Sequence, residues 1–139
     1  VPGVLVWPDK ISEPFEVDIP CVTSDYFPTI LDALGIPLPS DRPYDGISLM
    51  PVIEQKQKER NKPIGFLNRG GRQSVWMNRT YKLIYDEKEK HLELYNIVED
   101  AEEKENLTRS HPQIAYQMKK ELFEWKEEVM NDLAKIEKK

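Results

Sequence analysis

The second half of the chain carries four short runs of β-branched and aromatic residues, and this feature constrains the fold most strongly. The runs are Ile64–Leu67, Ser74–Met77, Tyr81–Tyr85 and His91–Tyr95. Turn-forming residues separate them at Gly70 and Gly71, at Asn78 and Arg79, and over Asp86–Lys90. Short runs spaced in this way are typical of strands joined by hairpins. We therefore expect a small antiparallel sheet of about four strands, one for each run.

After the sheet, the chain predicts one long amphipathic helix. Ser110 is a suitable N-cap, and Pro112 falls near the first helical position, where proline is favoured. Apolar residues then recur every three or four positions at Ile114, Met118, Leu122, Trp125, Val129, Leu133 and Ile136. This spacing predicts a helix of about 25 residues with one apolar face. We favour packing of that face across the sheet over a coiled coil, because bulky Trp125 and flexible Met118 suit a sheet surface better than a zipper seam.

The first part of the chain follows another pattern, that of a buried strand and then a helix. Val4–Trp7 is a continuous apolar run, which is typical of a strand covered on both faces within a larger sheet. Further on, Ser24 is a suitable N-cap and Gly35 favours a left-handed turn after the last helical residue. We expect a helix over about Asp25–Leu34, followed by a proline-rich connection and the charged run Glu54–Lys62.

Composition argues against several classes of function. The net charge is −5, and basic residues are interleaved with acidic ones, so we expect no nucleic-acid partner. No apolar run approaches the roughly 18 residues that span a bilayer, so we expect no membrane partner. The single cysteine, Cys21, cannot form an internal disulfide.

Four segments of the chain resemble motifs of one family in the same order. Glu93–Asp100 and Glu105–Leu107 are similar to the "ELYDL…DPxExxNL" signature near the end of sulfatases. Val1–Pro8 looks like the "RVPxxxxWPG" strand, Thr23–Leu31 like the "DLYPTLLDLAGI" helix, and Arg42–Pro51 like the "DGxSLxPLL" segment of that family. Four ordered matches are much harder to obtain by accident than one. The chain thus resembles the C-terminal portion of a sulfatase of the arylsulfatase or N-acetylgalactosamine-6-sulfatase type, in the alkaline phosphatase superfamily.

The resemblance implies an α+β architecture in two parts. Residues 1–61 would form the last strand, helix and connection of the sulfatase α/β core. Residues 62–139 would form the C-terminal subdomain, a small antiparallel sheet packed by the long helix. The rest of the sulfatase chain would then be the partner of this segment. The parent protein would hydrolyse a sulfated glycan or an aryl sulfate, and kinship with the family implies that it is exported.

The resemblance also implies that the groups that break the bond lie elsewhere. Sulfatases use a formylglycine made from Cys or Ser in a Cys-x-Pro-x-Arg type motif, together with a calcium ion held by carboxylates and an amide. Cys21 is followed by neither that Pro nor that Arg, and we expect it to pack as a small apolar residue. His91 and His111 have no flanking carboxylate cluster. We therefore assign no catalytic residue and no metal ligand to this chain. We expect calcium and formylglycine in an N-terminal part of the parent protein, and expect the isolated chain to be inactive.

One loop is a candidate for contact with substrate. Asn68, Arg69 and Arg72 surround Gly70 and Gly71. In sulfatases the corresponding segment tends to lie near the mouth of the pocket and to vary with the sugar. Two guanidiniums beside a flexible glycine pair suit a carboxylate or a second sulfate, which arginine binds bidentately. The alternative is an ordinary solvated loop in which the glycines only make a turn, and the sequence leaves both open.

Two other functions compete with the sulfatase interpretation. The first is a non-catalytic interaction module whose long helix docks a partner. The second is a fragment of a related phosphonate or phosphate-ester hydrolase, although the Glu93–Asp100 signature favours sulfatase. For the isolated chain, the unpaired edges of the predicted Val4–Trp7 strand favour self-association.

Overall fold

The structure is a computed structural model that describes residues 3–68 and 70–136, except for the side chain of Ile136. The chain divides into two compact units, Val1–Asn61 and Lys62–Lys139, called here the N-terminal unit and the C-terminal unit. Their assignment to the core and to the C-terminal subdomain of a sulfatase stays a prediction.

The C-terminal unit contains the predicted four-stranded antiparallel sheet. Its strands are β1 (Ile64–Leu67), β2 (Gln73–Met77), β3 (Tyr81–Asp86) and β4 (His91–Asn96), and they pair in chain order. The β2–β3 hairpin turns at Asn78, as predicted. The side-chain oxygen of Asn78 accepts hydrogen bonds from the backbone amides of Thr80 at 2.9 Å and Tyr81 at 2.7 Å. The Asn78 side chain therefore accepts the amide hydrogen bonds that the neighbouring strand does not accept at the turn.

The inner face of the sheet is defined by one row of residues that crosses all four strands. Gly65 lies opposite Trp76, Trp76 opposite Leu83, and Leu83 opposite Leu94. Leu83 and Leu94 are fully buried, and Trp76 is buried. Since side chains alternate between the faces of a strand, this row fixes which face of the sheet holds the core.

The long helix of the C-terminal unit, called the C-terminal helix, spans Pro112–Ile136 and packs across that face, as predicted. Its buried residues join those of the sheet in one cluster of Trp76, Leu83, Tyr85, Leu94, Ala115, Met118 and Leu122. Further along the helix Met130 and Leu133 are exposed, so the apolar stripe continues past the part that the sheet covers.

The C-terminal helix begins one residue later than a Ser110 cap would require. The first helical hydrogen bond runs from the amide of Ala115 to the carbonyl of His111, at 3.1 Å. Ser110 instead donates its hydroxyl to the carbonyl of Leu107. Because the fixed φ of Pro112 suits the first helical position, His111 takes the N-cap position and the predicted Ser110 cap is wrong.

The N-terminal unit contains the predicted first helix. A 3-10 turn at Thr23–Asp25 leads into a helix over Tyr26–Ala33, called the N-terminal helix, and a short helical turn follows at Met50–Ile53. Gly35 has φ +66° and ends the helix in the left-handed conformation, as predicted. The amide of Ile36 closes that turn on the carbonyl of Leu31 at 2.9 Å. Ser24 lies inside the 3-10 turn, so the predicted Ser24 cap is wrong, and the carboxylate of Asp25 accepts the Val22 amide instead at 2.9 Å.

The predicted strand at Val4–Trp7 is not formed. Residues 3–7 have no strand assignment, and Val4 and Val6 are 92% and 79% exposed. A strand requires a neighbouring strand to receive its hydrogen bonds. The described part of the N-terminal unit contains helices and a 3-10 turn but no other strand. The apolar run is therefore an exposed segment without a sheet.

Candidate functional site

The loop between β1 and β2 carries the residues predicted to contact substrate. The amide of Asn68 donates to the carbonyl of Gln73 at 3.0 Å, and the amide of Gln73 donates to the side-chain oxygen of Asn68 at 3.1 Å. Gly70 and Gly71 have φ angles of +106° and +69°, which residues other than glycine rarely adopt. The Asn68 side-chain oxygen therefore closes the loop. Arg69 lies outside the described residues.

Arg72 is held at the end of this loop by residues that follow β3. Its Nε donates to Oδ2 of Asp86 at 3.1 Å, and its backbone carbonyl accepts the amide of Glu87 at 2.7 Å. The strand register brings these residues together, because Gln73 of β2 lies opposite Asp86 of β3. The Arg72 side chain remains 58% exposed. Among the described residues, the hydrogen bond of the guanidinium to Asp86 is made through Nε, which leaves the two terminal nitrogens as donors for a ligand.

Asp86 is buried and remains ionised at neutral pH. Its Oδ1 accepts the backbone amides of Lys88 at 2.9 Å and Glu89 at 3.0 Å. The hydrogen bond from the Glu89 amide, assisted by those from Arg72 and Lys88, holds the pKa of Asp86 below its usual value despite the opposing effect of desolvation. Asp86 therefore presents a fixed negative charge to Arg72.

This arrangement suits binding of an anion. A guanidinium fixed through Nε still offers its outer pair of nitrogens, which match the oxygens of a carboxylate or a sulfate. Its neighbours Asn68 and Asp86 are occupied in holding the loop and the turn. The part of Asn68, Arg69 and Arg72 in substrate binding stays a prediction.

Cys21, His91 and His111 have contacts with residues other than Arg72, although His91 lies opposite Asp86 in the pairing of β3 with β4. Cys21 is exposed, so the prediction that it packs as an apolar residue is wrong, and its Sγ donates to the carbonyl of Ile19 at 3.2 Å. Partial desolvation of the sulfur and the neighbouring Asp25 carboxylate raise the Cys21 pKa, which disfavours the thiolate. His91 is exposed beside Glu93, and His111 lies against the ring of Tyr81.

Within residues 3–68 and 70–136, no group of three or more His, Cys, Asp and Glu side chains is placed to hold a metal ion. The same part of the chain contains no helix that is both long and apolar enough to cross a bilayer.

Asp86 is the residue of this site that sequence reasoning missed. It was counted among the turn residues between β3 and β4, although its second carboxylate oxygen binds Arg72. The register supplied a usable signal. A hairpin that turns at Asn78 places the residues beside Arg72 opposite the end of β3, which brings Asp86 next to the guanidinium.

Comparison with known proteins relates the chain to one family. No protein-family model matches it. Human steryl-sulfatase is 45% identical over 58 residues, which make up 42% of this chain and 10% of that protein. The uncharacterized sulfatase YdeN of Escherichia coli strain K12 is 25% identical over 157 aligned positions, covering 84% of this chain and 27% of that protein. These similarities support a C-terminal sulfatase segment, and the chain is called the sulfatase segment from here on. This sulfatase segment spans about a quarter or less of the length of these curated relatives.

Solved structures show the same fold. A 2-O GAG sulfatase matches with a TM-score of 0.61 at 20% identity, over 80% of this segment and 26% of that chain. A protein solved with k-i-k-neocarrahexaose matches with a TM-score of 0.63 at 20% identity, over 73% of this segment and 23% of that chain. A third protein, solved with its substrate D-glucosamine-2-N,6-O-disulfate, is 26% identical with a TM-score of 0.52, over 77% of this segment and 23% of that chain.

Proposed function

We propose that this sulfatase segment is part of an enzyme that hydrolyses sulfate esters of a sulfated glycan. The observation that carries the proposal is the sequence identity to proteins named as sulfatases, at 45% over 58 residues for the human relative. The segment would complete the fold and line the substrate cleft. Its partners would be the rest of the sulfatase chain and the glycan.

Two observations favour a glycan over a sterol as the substrate. The structure solved with D-glucosamine-2-N,6-O-disulfate is 26% identical to this segment and covers 77% of it. In addition, the exposed Arg72 guanidinium suits a second anionic group, which sulfated glycans carry and a steryl monosulfate lacks. Arg72 would then act as a specificity contact, and Asn68 would hold its loop in shape.

The segment would not break the bond itself. The described residues contain no cluster that fits the calcium site of sulfatases, and Cys21 lacks the motif of the formylglycine precursor. We therefore derive no catalytic step from these residues. The proposal places calcium and formylglycine in a part of the parent protein that is N-terminal to this segment.

The interaction-module alternative loses its main support. It required the apolar face of the C-terminal helix to be free for a partner. Trp125 of that face instead packs against the Trp76 ring, with centroids 5.6 Å apart, and against Gly65, where an added Cβ would lie 2.6 Å from the Trp125 ring. The face is thus covered by the sheet as far as Trp125, whereas Met130 and Leu133 farther along the helix are exposed.

The test is a substrate panel for the full-length product of the reading frame that encodes this segment. The panel contains p-nitrophenyl sulfate, p-nitrophenyl phosphate, a steryl sulfate and D-glucosamine-2-N,6-O-disulfate. The proposal predicts turnover of both p-nitrophenyl sulfate and the sulfated sugar, with kcat/KM for the sugar above that for the sterol. A preference for the phosphate ester would instead support the related phosphate-ester hydrolase.

A further inference from the structure

We infer that Asp86 is a positioning residue, which orients the Arg72 guanidinium toward an anionic group of the glycan. The inference rests on the proposed function, because it takes Arg72 as a contact to the substrate. It adds a residue that no motif identifies, and it assigns that residue a role that acts through Arg72.

The two carboxylate oxygens of Asp86 have different partners. Oδ1 accepts the amides of Lys88 and Glu89 and so closes the turn between β3 and β4. Oδ2 receives the Nε of Arg72 at 3.1 Å. Capping the turn requires only the first oxygen. We therefore assign the contact from Oδ2 to the orientation of the Arg72 guanidinium, because the turn does not require it.

Arg72 is held both through its backbone and through its side chain. Its backbone carbonyl accepts the Glu87 amide, and its Nε is bound by Asp86, which immediately precedes Glu87. A long side chain normally loses much rotamer freedom when it binds a ligand. Here the strand end has already removed part of that freedom. With Nε occupied, the outer edge of the guanidinium is the edge left for an anion.

The Asp86 charge also repels an anion, which opposes its favourable effect on glycan binding through Arg72. The anion would lie on the far side of the guanidinium, and the half-exposed Arg72 side chain is reached by water and salt, which screen the repulsion. Loss of the Nε contact, in contrast, releases the whole side chain. We therefore expect removal of the Asp86 charge to weaken glycan binding.

The experiment is a double-mutant cycle of Asp86→Asn and Arg72→Ala in the full-length product. Asn retains an oxygen for the Lys88 and Glu89 amides, so the turn persists, which thermal unfolding verifies. KM is measured for D-glucosamine-2-N,6-O-disulfate and for p-nitrophenyl sulfate. We expect Asp86→Asn to raise the KM for the sugar about three- to tenfold when Arg72 is present, and less than about 1.5-fold in the Arg72→Ala background. The effect on KM for p-nitrophenyl sulfate should be smaller.

Glu89→Gln is the matched control. It removes a carboxylate from the same turn, and the Glu89 side chain pairs with Lys88 rather than with Arg72. It should leave both KM values unchanged. In ¹H–¹⁵N spectra of the segment, Asp86→Asn should shift the Arg72 Nε–H resonance, and Glu89→Gln should not.

The possible failures are distinguishable. An equal rise in sugar KM in the Arg72→Ala background would show a purely structural role for Asp86 and overturn the inference. So would an unchanged sugar KM in either single variant while hydrolysis persists. Absence of all sulfate-ester turnover would overturn the proposed function, and with it the inference.

Discussion

Asp25 joins three stretches of the N-terminal unit through one carboxylate. Its oxygens accept the amides of Val22 and Ile47, both at 2.9 Å, and two nitrogens of Arg60 at 2.8 and 3.0 Å. The Asp25 side chain is fully buried and that of Arg60 is 2% exposed. Removing one partner of such a pair leaves a buried charge without compensation, which costs more than the pair itself contributes. Asp25 is therefore the residue on which the fold of this unit depends most directly.

Asp25→Asn should destabilise the N-terminal unit by about 3 kcal/mol, because Arg60 would remain buried without its counter-charge. Hydrogen exchange of the N-terminal helix, such as the Leu34 amide that bonds to Ile30, measures this opening free energy. The matched control is Asp41→Asn, which breaks an Asp–Arg pair on the surface with both side chains more than half exposed. That control should leave the exchange rates unchanged. Equal rates in the two variants would show that the buried pair is not structurally important.

The same carboxylate makes the N-terminal unit sensitive to acid. Desolvation alone would raise the pKa of Asp25, but the hydrogen bonds from Arg60, Ile47 and Val22 outweigh it and lower the pKa. The folded pKa therefore lies below the unfolded value of about 3.9, so this stabilisation is present above that pH and is lost as the pH falls through the folded value. Exchange of the Leu34 amide should accelerate below about pH 4 beyond its chemical rate. No extra acceleration would contradict this account.

Among the elements, those defined by local pattern could be predicted from the sequence. The four strands follow from short β-type runs between turn residues, and the C-terminal helix follows from apolar spacing and Pro112. The prediction of a strand at Val4–Trp7 was wrong for a physical reason. An apolar run describes what a segment needs to bury, whereas a strand also needs a neighbour to bond with.

Parts of the candidate site were beyond local pattern. Arg72 and Asn68 could be selected because their residue types and the adjacent glycines indicate a polar loop. The contact from Arg72 to Asp86 depends on the register of β2 and β3, which the turn at Asn78 sets and which the propensities of Arg72 and Asp86 themselves do not encode. The Asp25–Arg60 pair joins residues 35 positions apart and has no sequence signal at all.

The C-terminal helix should owe its stability to its first half. Leu122 is fully buried in the cluster on the sheet, whereas Leu133 is 48% exposed. Leu122→Ala should cost about 2–5 kcal/mol, because it leaves a cavity, and Leu133→Ala should cost much less. Urea unfolding followed by the fluorescence of Trp76 and Trp125, in a Trp7→Phe background, measures both. Similar costs for the two variants would contradict the assignment of the buried face.

At the scale of the whole molecule, the N-terminal unit leaves a set of apolar side chains exposed. The exposed residues include Val4 and Val6, and Ile30 in the N-terminal helix and Leu34 immediately after it are 57% and 66% exposed. Exposed apolar surface of this kind is typical of a protein contact. It is consistent with a segment that packs against the remainder of a sulfatase.

The isolated chain should therefore self-associate. Sedimentation at high concentration should show species larger than the monomer, and the double substitution Ile30→Glu with Leu34→Glu should remove them without changing the circular dichroism. Met130→Glu is the control, because it alters an exposed apolar residue on the C-terminal helix instead. If only Met130→Glu abolished association, the contact surface would lie on that helix. A monomer at every concentration would contradict the prediction.

We propose that this segment supports sulfate-ester hydrolysis, while the groups that break the bond lie in another part of the parent protein. The most direct measurement is the rate of p-nitrophenyl sulfate hydrolysis by the purified 139-residue chain, beside that of the full-length product of its reading frame. We predict turnover by the full-length product and none above the buffer blank by the chain alone. Turnover by the isolated chain that scales with its concentration would contradict the claim.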